Sequence, residues 1–133
     1  MRCLLDTHTF LWALSKPDRL PKSVIKIIVD PAHEVFLSAV SIWEAAIKLR
    51  LGRLDLEGRS VTDLLGEADD MNVQLISLEP FEAASHVDLM EDTHFDPFDR
   101  MLIWQAISRN LTLVSGDKEF KLFVKDGLKL LWN

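Results

Sequence analysis

Short apolar runs alternating with segments of helical periodicity constrain this chain more than any other feature. The runs are Cys3–Leu5, Val35–Ser38, Val73–Leu78, Leu111–Val114 and Leu128–Trp132. Runs of this length read as strands, and those that are continuously apolar match strands covered on both faces. Between them, apolar residues recur at helical spacing in Thr9–Leu14, Lys22–Asp30, Ser41–Arg50, Ser60–Met71, Glu79–Leu89 and Pro97–Asn110, and a short helix is predicted over Lys118–Phe123. Ser15–Pro21 and Leu51–Arg59 read as loops. Regular alternation of this kind predicts an α/β fold: a central parallel sheet of four to five strands, joined by right-handed crossovers and flanked by helices.

The 133 residues, 48% of them hydrophobic, suffice for one core and are expected to form a single domain over residues 1–133. Fifteen Lys and Arg against twenty-one Asp and Glu give a net charge of −6, which argues against coating nucleic acid by bulk electrostatics. A nuclease whose acids cluster around cations stays allowed. Cys3 stands alone in an apolar run and is expected to be a buried thiol in a reducing compartment. Asp6 interrupts the first apolar run before a signal-peptide core can form, and no run approaches the roughly 18 apolar residues of a membrane span. A cytoplasmic protein without membrane contact is expected.

Four acids hold corresponding places in this alternation. Asp6 directly follows the first strand, and Asp117 follows the fourth in Ser115-Gly116-Asp117. Glu44 and Asp99 fall in early turns of helices that open at the same edge of the sheet, which is where open parallel sheets bind ligands. Each also has a capping explanation. Asp6 can cap the helix that follows it, Ser41 and Glu44 have capping-box spacing, and Asp117 can open the last helix. Asp96 is a good N-cap before Pro97 at the first helical position, with Asp99 favoured by the helix dipole. Capping alone would let Ser, Thr and Asn share these places. Carboxylates converging on one edge repel and raise one another's pKa unless cations neutralise them, and hard Mg²⁺ or Mn²⁺ ions suit oxygen ligands and phosphate substrates. Phosphodiester hydrolysis fits such a pocket.

Competing chemistries lack their signatures: the sequence has no GxSxG elbow, P-loop, GxGxxG or zinc-spaced Cys/His set. Asp6 could act as the nucleophile of a small phosphatase, but Thr7-His8-Thr9 supplies no second acid beside it. Glu91-Asp92-Thr93 reads as a solvent-facing acidic linker. Trp12, Trp43 and Trp104 lie on apolar helical faces and read as core or interface residues rather than base-stacking platforms.

Four motifs in order, Leu4-Leu5-Asp6-Thr7-His8, Ser38 to Lys48, His94 to Ile103 and Leu113 to Asp117, closely resemble those of PIN-domain ribonucleases, and more narrowly VapC-type toxins of toxin–antitoxin pairs. The resemblance spans essentially the whole chain. It implies a PIN-like fold, Mg²⁺- or Mn²⁺-dependent endoribonuclease activity on RNA, homodimerisation and inhibition by a cognate antitoxin. It places the family's acidic set on Asp6, Glu44, Asp99 and Asp117 as catalytic and metal-binding residues, with Asp96 as a subsidiary ligand. Ser115 stands where Thr is more usual and keeps a supporting hydroxyl, and Gly116 departs from the motif's usual form. Lys48, Arg50 and Arg100, with Lys16, Arg19 and Arg53 behind them, are the basic residues near the motifs that could meet the substrate. The rival from another class is a noncatalytic PIN-like module whose acids cap helices and whose apolar surface meets a protein.

Overall fold

The computed structural model describes Met1–Asn133, and each run read as a strand forms one: β1 Arg2–Leu5, β2 Glu34–Ser38, β3 Gln74–Ile76, β4 Thr112–Val114 and β5 Lys129–Leu131. All four pairings are parallel and the order is β3-β2-β1-β4-β5. β1 lies at the centre, with Leu4 facing Phe36 on one side and Leu113 on the other. The helices are α1 Thr7–Ser15, α2 Lys22–Val29, α3 Ala39–Arg50, α4 Asp63–Asp70, α5 Pro80–Ser85 and α6 Pro97–Ser108. None is long and apolar enough to cross a membrane.

Strand alternation sorts the core into two layers. Cys3, Leu5, Val35 and Leu37 point into a cluster completed by Phe10, Val24, Ile27, Leu64 and Ala68 from α1, α2 and α4. Leu4, Phe36 and Leu113 point the other way, onto Val40 of α3, Leu102, Ile103 and Ala106 of α6, and Phe120 and Phe123. Because β2 and β3 extend the sheet on one side of β1 while β4 and β5 extend it on the other, the strand order reverses between β1 and β4. A crevice opens at the carboxyl ends of strands at such a reversal.

Three local expectations are corrected. The helix after β2 begins at Ala39, not Ser41, because the Ser38 hydroxyl accepts the Val40 N–H at 3.0 Å and caps it. Ser41 and Glu44 therefore lie inside α3, and their capping-box role falls away. The segment after Asp117 is a 3-10 helix, Lys118–Asp126, longer than such helices usually run. Its period of three puts Phe120, Phe123 and Asp126 on one stripe, with both rings buried and the Asp126 carboxylate accepting the Met90 and Glu91 N–H groups at 2.7 and 3.3 Å. Glu91 is buried rather than solvent-facing. Its carboxylate accepts the Asp92 and Thr93 N–H groups and the Thr93 hydroxyl and pairs with Lys125 at 3.1 Å, and these contacts draw its pKa down to about 2.

A buried polar network fixes α6 against its neighbours. Gln105 accepts the Ser38 hydroxyl and donates to Glu82 at 3.1 Å and to the Ser77 carbonyl at 3.2 Å, tying α6 to β2, α5 and the loop after β3. Arg109 donates to both Glu82 oxygens at 2.6 and 2.8 Å. Burial alone would raise the Glu82 pKa, but Arg109, the Glu79 N–H and Gln105 outweigh it and bring it to about 2. A carboxylate depressed in the folded state contributes its stability above its unfolded pKa near 4.5 and loses it as pH falls toward 2. Arg109→Met, which strands a buried carboxylate, is expected to lower unfolding free energy by about 3 kcal/mol at pH 7. Urea titrations at pH 7 and pH 3 should show that deficit shrinking in acid.

Candidate active site

Asp6, Glu44, Asp96, Asp99 and Asp117 all line one cavity of about 730 Å³ at the carboxyl end of the sheet. The Asp6 N–H continues the β1–β4 ladder to the Val114 carbonyl at 3.1 Å, so Asp6 leaves the sheet at the reversal itself. Its carboxylate then caps α1 by accepting the Thr9 N–H at 2.8 Å. Asp117 leaves β4 beside it, its carboxylate accepting the Glu119 N–H at 2.9 Å and its own N–H donating to the Ser115 hydroxyl at 3.1 Å. Asp96 caps α6 through the Asp99 N–H at 2.9 Å, as expected of it. In Asp96 and Asp117 the cap occupies Oδ1 and leaves Oδ2 without a protein donor.

Glu44 forms the buried floor. The Thr7 hydroxyl donates to it at 2.6 Å, and Lys48, one turn further along α3, pairs with its second oxygen. Thr7 also bonds the Ser41 hydroxyl at 2.9 Å, so the start of α1 is stitched to α3 beneath the cavity.

Asp99 is strongly perturbed. Burial pushes its carboxyl up to about 6; the charges of Asp96 and Glu44 add to the rise and His94 offsets part of it. Burial also raises Asp6, against hydrogen bonds from Ser115 and Thr9. His94 Nε2 lies 3.0 Å from Asp99 and Nδ1 2.8 Å from Glu119, with Phe120 and Phe123 edge-on to the ring. Burial disfavours a charged ring, but the two carboxylates outweigh it and raise the His94 pKa. Two ionised carboxylates offer only acceptors, so this geometry suits the doubly protonated ring.

The basic residues divide. Lys48 and Arg19 line the cavity. Arg50 does not: two residues beyond Lys48 it shares no helical face with it and is exposed. Arg100 is not at the cavity either, because its guanidinium donates to the Glu91 and His94 carbonyls at 2.7 and 2.9 Å and holds the 91–94 loop. His94, Thr7 and Trp132 were missed by sequence reasoning. His94 sat within the motif, but its second partner, Glu119, is 25 residues away, and no local pattern announces such a contact.

In the arrangement present, no three carboxylate or imidazole groups close on a single ion-sized point. The donor chemistry nonetheless suits a hard cation: the acids are oxygen donors, several with a lone-pair face open to the cavity, and like charges destabilise the ionised Asp99.

A family model of the PIN domain matches residues 3–125. The chain belongs to the PIN domain family. Its PIN fold is similar to that of VapBC2 from Rickettsia felis, solved bound to a DNA fragment from their promoter, with a TM-score of 0.72 at 17% identity over 100% of both chains. It is also similar to VapBC-1 from nontypeable Haemophilus influenzae, with a TM-score of 0.69 at 16% identity over 98% of this chain and 97% of that one. FitAcB from Neisseria gonorrhoeae matches with a TM-score of 0.63 at 20% identity over 98% and 96%. A sequence search against curated proteins finds no match.

For this PIN domain the crowding of Asp99 has a direct consequence. A carboxyl raised from 3.8 to about 6 carries no penalty below its unfolded value and the full penalty above 6. In EDTA, the stability of Asp99→Asn relative to the parent is therefore expected to improve by about 2 kcal/mol between pH 4 and pH 8. Chemical denaturation at both pH values measures it.

Proposed function

We propose that this chain is a divalent-cation-dependent endoribonuclease, the toxin of a VapBC-type toxin–antitoxin pair. The observation that carries the reading is the crowding of five carboxylates into one cavity at the strand-order reversal of a PIN fold. The likeness to VapBC2, VapBC-1 and FitAcB supports the toxin–antitoxin part of it. Asp6 and Asp99 would be the principal ligands of Mg²⁺ or Mn²⁺, with Glu44 and Asp117 reaching an ion through water or holding a second one. Asp96 would chiefly fix the start of α6 and so aim Asp99. A divalent ion held there lowers the pKa of an attacking water and stabilises charge on the attacked phosphate and the leaving oxygen.

The remaining work falls to this chain's own groups. Lys48 neutralises Glu44 and presents a cation at the cavity, where it can meet a phosphate despite the net charge of −6. Ser115 helps to orient Asp117 by receiving its N–H. His94 holds Asp99 from behind and limits its swing. The same reading includes a cognate antitoxin, a homodimer and a cytoplasmic home. The exposed rings of Trp43 and Phe95, which flank an apolar pocket with Val40 and Met101, offer surface for a protein contact.

One observation favours a second reading, a noncatalytic protein-binding module: Asp6, Asp96 and Asp117 all serve as helix caps. Isothermal titration with Mn²⁺ separates the two, since the module predicts neither heat of binding nor metal-dependent stabilisation. For the enzyme, Asp6→Asn and Asp99→Asn are each expected to reduce cleavage of structured RNA by more than about 100-fold in Mg²⁺ or Mn²⁺, and EDTA to stop the parent. Undiminished cleavage by both variants would remove these acids from the chemistry.

A further inference from the structure

The cavity that holds the carboxylates has a different wall made by His8, Trp12, Arg19, Gly116 and Trp132. Trp12 and Trp132 are half-buried, with ring centroids 6.3 Å apart and planes tilted by 55°. His8 lies 6.0 Å from Trp12, and the Arg19 guanidinium sits over the Trp12 ring at 5.6 Å. Trp132 is pressed against the chain beside Asp117. A Cβ at Gly116 would come within 2.8 Å of Cε2 and Cζ2 of that indole, so only glycine admits the ring there. The Ser23 hydroxyl holds the Trp132 carbonyl at 3.2 Å.

Two details separate these rings from ordinary core tryptophans. Each packs partly against the apolar cluster of the α1 and α2 layer while also lining the cavity. Trp104 donates its indole N–H to Ser85 at 2.9 Å, whereas neither Trp12 nor Trp132 has a protein acceptor. A supported ring with an open side is what a stacking platform needs.

We propose that Trp12, Trp132 and Arg19 form a subsite for an unpaired nucleobase adjoining the cleaved phosphate of single-stranded RNA. It rests on the ribonuclease reading and adds the feature that would choose where that activity acts. A base inside a duplex cannot present its face to a side chain, so stacking here selects loops and single-stranded segments. Arg19, planar and permanently charged, can stack on the base or hold the neighbouring phosphate. At about 730 Å³ the cavity is large enough for a nucleotide and not merely a phosphate.

The test uses the full chain carrying Asp99→Asn, so that bound RNA stays intact, and fluorescence anisotropy with labelled single-stranded RNA hexamers. Trp12→Leu and Trp132→Leu are each expected to raise Kd about tenfold, and Trp12→Phe and Trp132→Phe to recover most of that loss. An abasic site at one position of the hexamer should reproduce the loss and make the Leu variants indistinguishable from their parent. Arg19→Ala should reduce the salt dependence of binding by about one counterion. Circular dichroism checks that each variant is folded. RNA binding that is indifferent to both Leu substitutions overturns the subsite and leaves the nuclease reading standing, as does a loss that Phe fails to recover in folded protein. If the parent chain neither binds nor cuts RNA, both readings fall.

Discussion

Everything at the candidate site depends on the parallel pairing of β1 with β4. That ladder brings the chain's sixth residue beside its 114th and makes the sheet run in opposite sequence directions to either side of it. Asp6 and Asp117 become neighbours only through this pairing. The same reversal leaves a crevice uncovered, lined by Asp99 from the first turn of α6 and by Glu44 from the second turn of α3. A two-layered core of Leu, Ile, Val and Phe on both faces of three- to five-residue strands holds the ladder. The polar chain Ser38–Gln105–Glu82–Arg109 sets α6 in place relative to that sheet.

Capping and ion binding are rival accounts of these acids, and the caps of Asp96 and Asp117 use only one carboxylate oxygen each. Asp6, Asp96 and Asp117 each satisfy a helix start with one carboxylate oxygen. A rotamer fixed by a backbone N–H aims the other oxygen, so the cap also positions it. Asp99 differs, because it receives the Asp96 cap through its own N–H and leaves its side chain among like charges. Burial, with those neighbouring charges adding to it, disfavours its ionised form.

The parallel α/β layout, the placing of the strands and the gathering of the acids were legible because they follow from local signals: apolar run length, helical period, and polar residues at strand ends; the sheet order rests on long-range pairing that no local signal carries. The α3 start was misread because Ser38 and Ser41 are both competent caps, and only the place where β2 pairing stops decides between them. Glu91 looked solvated within Glu91-Asp92-Thr93. Its burial depends on Lys125 and Asp126, contributed by a 3-10 helix whose period the sequence does not advertise. Arg100 and Arg50 illustrate a different limit. Proximity to a motif does not say which way a long side chain turns, and Arg100 turns toward two carbonyls. Trp12 was placed on an apolar face correctly, but its other side opens on the cavity, which a periodicity argument cannot express.

The double hold on His94 bears on the order of events in assembly. With one ring nitrogen on Asp99 and the other on Glu119, and with three caps already satisfied, the acidic crevice carries its own internal counter-charge. A zinc finger collapses without its ion because nothing else reconciles its ligands. Here the caps and His94 meet part of that demand within the polypeptide, so the positions of the acids are set by the fold itself rather than by an ion.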